Sequence, residues 1–325
     1  MRNSLRTAHF SFVVSGGVGP SCTPSTPRTY LHAYSTDLSP QNGYDFYDWT
    51  FPSKTHLWNT YAYVRLDMKN GDDIHYFKDR SAFNQSVLSN LPDPSLGYMD
   101  NTTGSDMFDM LQKFLKKTEN LCGSTVIIAA KRYPNEVEIE DLISDLQKNH
   151  VFVYILSSDN PSGGSNPLAM FNVATRTNGY CVFGPDDYLH DMYLEAENLA
   201  ASPNQIAASK FAVSGNGRQT VPIKTLGDPV NYDHVEFEVV FQDHKVDGSL
   251  IALNYTITDE FGGEQQFFEN HYVLGTAYHN AFSASYAVQY YLNINYEYQK
   301  GLQEVMVVRV YDWFYIPDNW LPFNN

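Results

Sequence analysis

Catalysis needs nucleophiles, acids, bases or metal ligands at spacings that bring them together, and this chain offers few. Its 10 histidines are scattered. His271 and His279 flank an expected strand end, with no cysteine or carboxylate at zinc-ligand spacing. Ser162-Gly163-Gly164-Ser165 stands ahead of an expected helix, as a phosphate cradle does. It lacks the Gly-Lys-Ser/Thr that completes such a cradle and reads as a plain loop. No Gly-x-Ser-x-Gly elbow occurs. Tyr290, Tyr291, Tyr296 and Tyr298 suit either a sugar-stacking platform or cross-strand packing, and packing is the commoner use of such a row.

The 3 cysteines are too few for a disulfide scaffold. Cys122 directly precedes one expected strand and Cys181 lies in another, both near the N-terminal edge of the expected sheet. Either these two form a bridge, leaving Cys22 free or intermolecular, or all three are small buried residues. Candidate glycosylation sequons stand at Asn84, Asn101 and Asn254.

The elements that must position these groups are clearest between Ser124 and Phe183. STVIIAA is a short β-branched run, the pattern of a strand buried on both faces. EVEIEDLISDLQKNH then sets Ile139, Leu142, Ile143 and Leu146 on one helical face. VFVYILS is a second buried strand, Leu168 to Thr177 a helix stopped by Asn178-Gly179, and Tyr180 to Phe183 a third strand. Alternating strands and helices predict parallel strands with right-handed crossovers.

Upstream, Thr29 to Thr36 predicts the first strand. Pro40, Gly43 and Pro52 argue against a long helix after it, leaving a short helix or an aromatic-rich loop. Asn70-Gly71 between Thr60–Asp67 and Asp72–Phe77 marks a hairpin. Asp79 to Asn90 and Gly104 to Thr118 read as helices. Beyond Phe183 a last helix faces Leu189, Met192, Tyr193 and Leu199 inward, and Ala201-Ser202-Pro203-Asn204 ends it. About seven strands follow at turn spacings near 10 residues, the pattern of an antiparallel sandwich. In one of them Val235, Phe237, Val239 and Phe241 alternate with Glu236, Glu238 and Val240.

Net charge is −16 with no basic run, so nucleic acid and anionic membranes are poor partners. No apolar run reaches the roughly 18 residues of a membrane span. Arg2 and Arg6 ahead of AHFSFVVSGGVG make a weak signal peptide or an unstructured start. The expected organisation is an N-terminal segment over 1–28, an α/β domain over 29–202 and a β-sandwich over 203–325.

In their order, STVIIAAKRYPNE, QKNHVFVYILSS and NVATRTNGYCVF resemble the second half of a von Willebrand factor A (vWA) domain. The closest likeness is to divergent vWA-like domains of nematode secreted proteins, which precede an uncharacterised β-rich domain. It covers about Arg28 to the C-terminus. The resemblance implies a doubly wound, mainly parallel sheet whose strand carboxyl ends form a crevice. There a divalent metal would be held by an Asp-x-Ser-x-Ser turn, a Thr from a middle loop and an Asp after the fourth strand. Here Ser35, Asp37 and Ser39 keep the turn spacing, but the leading Asp is Ser35. Thr102 and Thr103 stand for the middle Thr, and the expected Thr-Asp-Gly reads Ala130-Lys131-Arg132. Exchanging a carboxylate for a lysine costs roughly 4 kcal/mol per unit change at about 4 Å and an effective dielectric near 20. The expectation is a vestigial site without metal or other cofactor, with Lys131 paired to Asp37 or pointing to solvent.

These readings predict a non-enzymatic, secreted recognition or adhesion-like protein whose partner is an extracellular protein or glycan. The competing expectations are a hydrolase or transferase with its site around Asp37, Thr102 and Lys131, and a structural matrix component.

Overall fold

Strands whose every residue is buried need cover on both faces, and three such strands make the centre of the first sheet. The computed structural model describes residues 22–51, 58–196, 199, 204–225, 233–242, 249–269, 277–299, 301 and 303–323. In it β1 (Arg28–Ser35), β4 (Thr125–Ala130) and β5 (Phe152–Ser158) are buried throughout. With β2 (Trp58–Leu66), β3 (His75–Phe77) and β6 (Cys181–Gly184) they form one sheet in the order β3-β2-β1-β4-β5-β6. All neighbours pair parallel except the edge strand β3. The chain builds from β1 outward to one side and then, with β4, to the other. That reversal puts a crevice at the carboxyl ends of β1 and β4.

Among the described residues six α-helices cover the sheet: α1 (Pro40–Thr50), α2 (Arg80–Leu88), α3 (Met107–Lys117), α4 (Glu140–Lys148), α5 (Pro167–Arg176) and α6 (Leu189–Glu195). α1 packs on α6, with Phe46 against Tyr193 at 5.1 Å. α3, α4 and α5 form a second row in sequence order. No helix among the described residues is long and apolar enough to cross a membrane. Of the two alternatives after β1, the structure takes the helix. Pro40 is its first residue, where a missing N–H costs nothing, and Ser39 caps it by accepting from the Asn42 N–H. Gly43 lies so close to Pro92 that an added Cβ would sit 2.1 Å from it, so the glycine serves packing.

The C-terminal half is two antiparallel four-stranded sheets. One is β12 (Ala277–Ala284), β9 (Asp233–Phe241), β14 (Glu304–Asp312) and β7 (Gln205–Val213), in that order. The other is β11 (Glu264–Glu269), β10 (Leu250–Asp259), β13 (Gln289–Tyr298) and β8 (Asn216–Lys224). Val221, Ile223, Phe237, Val239, Leu292 and Val308 are among the residues that fill the space between them. The described residues carry eight strands here where about seven are expected from the turn spacing, with β12 and β13 separated by the turn at 285–288. The boundary residues 201–203 and most of the N-terminal segment lie outside the described residues.

The glutamates of β9 do not face water. Glu236 and Glu238 are each 3% exposed, paired with His234 at 3.0 Å and His279 at 2.7 Å. Their face of the sheet packs on the α/β half, and Val240, Val307 and Tyr311 belong to the core of that half. At the centre of this contact Arg309, 1% exposed, donates to Thr175 O (2.9 Å), Asn178 O (2.9 Å) and Gly179 O (3.0 Å) at the end of α5. It also reaches Ser209 O on its neighbour β7 at 3.1 Å. The segment after β14 returns across the α/β half. Trp320 lies against His150 and Phe152, under the Arg28 guanidinium, with its indole N–H on Cys22 O at 3.1 Å.

The disulfide expectation is corrected. Cys22 bonds to Cys122, with Cα atoms 5.5 Å apart, and Cys181 is free and buried. β5 stands between β4 and β6, so Cys122 before β4 and Cys181 in β6 are separated by two strand spacings, about 9.6 Å. Cys22 precedes β1, the immediate neighbour of β4. Thiol labelling of denatured, unreduced protein is therefore expected to count one thiol, and three after reduction.

Candidate functional site

At the crevice, β1 ends in Ser35 and runs on through Thr36 and Asp37, while β4 ends in Ala130 and runs on through Lys131 and Arg132. The two basic residues part there. Lys131 turns outward: its Nζ sits 2.6 Å from Asp186 Oδ2, 2.6 Å from Asn160 O and 3.1 Å from Ser158 Oγ. Arg132 turns in and is 1% exposed. Its Nε donates to Asp37 Oδ2 at 2.9 Å, Nη1 to Asp100 O at 2.9 Å and Thr103 O at 2.7 Å, and Nη2 to Tyr98 O at 3.3 Å. The Tyr98 ring lies 5.3 Å from the guanidinium carbon. The cation in the crevice is thus a side chain, ringed by oxygens that use four donor contacts of its fork. Of the two expectations for Lys131, the pair with Asp37 is replaced by Arg132–Asp37, and instead of pointing free into solvent Lys131 pairs with Asp186.

The loop Ser162-Gly163-Gly164-Ser165 closes this arrangement rather than cradling phosphate. Ser162 Oγ donates to Asp37 Oδ2, and a Cβ on Gly163 would sit 2.0 Å from Arg132 Nη1. Gly163 O accepts the Tyr133 N–H at 2.9 Å. Sequence reading missed Arg132, and the signal that marks it is this pair of glycines, which lets backbone approach the guanidinium.

The other marked positions scatter. Ser35 donates to Asp67, and Ser39 caps α1. Thr102 and Thr103 donate their hydroxyls to Asp100 at 2.8 and 2.9 Å instead of facing the crevice. The Thr103 N–H and these hydroxyls hold the Asp100 carboxyl well below the usual range. A divalent ion does not fit this set. At about 4 Å from a guanidinium, with an effective dielectric near 20, a dication would be repelled by roughly 8 kcal/mol.

Comparison with known proteins bears on the C-terminal half. Residues 209–313 match a family described as a domain of unknown function, DUF7154. No curated protein matches. Similar solved structures include the carbohydrate-binding module TmCBM61 in complex with β-1,4-galactotriose, at 8% identity over 33% of this chain and 70% of that one, TM-score 0.23. The carbohydrate-binding module CBM36 with calcium and xylotriose gives 9% identity over 33% and 87%, TM-score 0.20. PliG of Aeromonas hydrophila, a periplasmic inhibitor of g-type lysozyme, gives 9% over 33% and 84%, TM-score 0.20. Likenesses this distant carry no argument about what the chain binds.

The remaining chemistry-bearing residues fall as follows. Tyr290, Tyr296 and Tyr298 point into the sandwich core, and only Tyr291 of that row is exposed. His279 is taken up by Glu238, and His271 lies outside the described residues. Asn101 is exposed on a loop, Asn84 in α2 accepts from the Tyr47 hydroxyl, and Asn254 lies within β10. The described residues hold no group of three or more His, Cys, Asp or Glu arranged for a metal. A groove of about 420 Å³ between α3 and α4 is lined by Gln112, Lys116, Asp141, Asp145 and Lys148, away from the crevice.

Near the crevice, at the end of β2, Asp67 is fully buried with a positive φ of 64°. Its N–H donates to Asp106 Oδ1 at 2.9 Å, and its own Oδ1 has no hydrogen-bond partner among the described residues. Burial, and then the Asp106 charge, pushes its carboxyl up to about 7. Asp106 is raised as well, chiefly by burial. Because the folded value lies above the unfolded one, the stabilisation from a neutral Asp67 is complete below about pH 4 and is lost as pH rises through 7. Asp67→Asn is therefore expected to gain about 2 kcal/mol on the wild type between pH 5 and 8. Urea denaturation of both proteins at the two pH values measures this, and parallel pH profiles would contradict it.

Proposed function

We propose that the chain is a secreted recognition or adhesion-like protein in which a vWA-like domain works without metal and without catalysis, joined to a β-sandwich. The observation that carries this reading is Arg132, a fixed internal cation on Asp37 at the place where a ligand-binding crevice would otherwise open. With the crevice filled from within, binding falls to the outer surfaces of the two halves. The test is thermal unfolding in millimolar Mg²⁺, Mn²⁺ or EDTA, with an unchanged melting curve expected. An ion that bound only the native state would raise the melting temperature with its saturation. A transition shifted by EDTA would overturn the metal-free reading.

An enzyme would draw on Asp67 and Asp106, since perturbed carboxyls gather at catalytic sites. Asp67 has no exposed surface, which supports a structural part for it. Expressing the tagged protein, locating it in the medium and identifying what it retains from an extracellular extract tests the recognition reading. Retention in the cell, or no captured partner, would count against it.

A further inference from the structure

The outward face of the sheet β11-β10-β13-β8 differs in chemistry from the rest of this acidic chain. Antiparallel register sets three rows side by side across β8, β13 and β10. They are Arg218–Asn295–Asn254, Thr220–Asn293–Thr256 and Pro222–Tyr291–Thr258. Directly opposed residues share a face, and rows two residues apart stand about 6.8 Å from one another. No carboxylate stands in these rows on β8, β13 and β10, in a chain with 37 acidic residues; Glu264 of β11 is directly opposed to Thr258 at the end of the third row, and Glu297 lies one row beyond Asn295.

Part of this face holds itself flat. Asn293, 4% exposed, accepts from Thr220 Oγ1 at 2.9 Å and donates to Thr256 O and Tyr291 O, both at 3.3 Å. Asn295 Nδ2 donates to Asn254 Oδ1 at 2.8 Å. Among the described residues, what stays unspent is the Arg218 guanidinium, the Asn254 amide N–H, the Asn295 carbonyl, the Thr256 hydroxyl and the Tyr291 ring. Arg218 is exposed and Tyr291 is 38% exposed.

Resting on the recognition reading above, we infer that this face binds an oligosaccharide chain. Amide, hydroxyl and guanidinium groups in fixed rows suit a ligand presenting many hydroxyls of both hydrogen-bonding senses. The Tyr291 ring supplies the apolar plane on which the C–H side of a sugar ring rests while its hydroxyl stays wet. A basic peptide would find no acid in the rows, and an anionic polymer would find one arginine within them, with Lys224 at the margin.

The test is calorimetric titration of the full chain with cellotetraose, mannotetraose, galactotetraose, chitotetraose and oligogalacturonate. At least one of these is expected to bind. Tyr291→Ala and Arg218→Ala, both surface changes, are each expected to weaken that binding about tenfold, roughly 1.4 kcal/mol. Phe261→Ala, an exposed ring at the β10–β11 turn, serves as control and is expected to leave it unchanged. Binding by none of the panel, or binding indifferent to Tyr291→Ala and Arg218→Ala, overturns the inference. So does an occupied sequon at Asn254, seen by mass spectrometry of the secreted protein, because an attached glycan would cover the rows. Capture of an extracellular protein that is insensitive to both variants would sink this inference and leave the recognition reading standing.

Discussion

Arg309→Met is expected to lower the unfolding free energy by about 3–5 kcal/mol, read from the urea midpoint at constant m-value. Methionine occupies similar space, so the loss isolates the hydrogen bonds rather than a cavity. Thr175 O is one of the last carbonyls of α5, which have no partner within the helix, and Gly179 O stands three residues beyond its end. Arg309 supplies donors to both halves at once, and its removal takes the side-chain donor from Thr175 O and Gly179 O, while Asn178 O keeps the Gln205 amide at 2.8 Å. A buried acceptor left unpaired costs about 1–3 kcal/mol, and two are left. Lysine at this position keeps the charge without the planar fork and is expected to fall between. A loss under 1 kcal/mol would overturn the account of Arg309 as the residue that ties the two halves together.

Arg132→Met is expected to cost a similar amount, about 3–5 kcal/mol, for a different reason. Asp37 is 7% exposed, and without the guanidinium it becomes an uncompensated buried charge. Three carbonyls, from Tyr98, Asp100 and Thr103, lose their donors with it. The contrast is Arg176→Ala, which removes the pair to Glu140. That glutamate is 70% exposed, and its loss is expected to cost under about 1 kcal/mol. Equal losses for the two variants would overturn the account of Arg132 as the buried keystone of the crevice.

The α/β half was legible because parallel buried strands are written as contiguous apolar runs, STVIIAA and VFVYILS, with amphipathic helices between them. α1 was half legible, since Pro40 breaks a helix interior but begins a helix well. The crevice was misread by a single residue. Both Lys131 and Arg132 follow the strand, and only the turn of the backbone decides which enters, with glycines from a distant loop making the room. The cysteines could not be paired from sequence, because the choice depends on which strands are neighbours. In the sandwich, alternation correctly separated the two faces of β9. It could not say that the glutamate face would be buried against the other half, which is information held by partners far away in the chain.

The contact of Trp320 with Cys22 joins residues 298 positions apart, and that bears on how the protein is made. A ribosome delivers the N-terminal half first, so every strand of the six-stranded sheet is synthesised before the segment that finishes it. Until Trp320 arrives, the side of Gly123 on which its ring will lie, within 2.4 Å of where a Cβ would stand, remains open. The neighbouring Cys122 and its partner Cys22 are thus both synthesised well before the ring that covers them. Vectorial synthesis makes the aromatic cover the last part of this contact to become available.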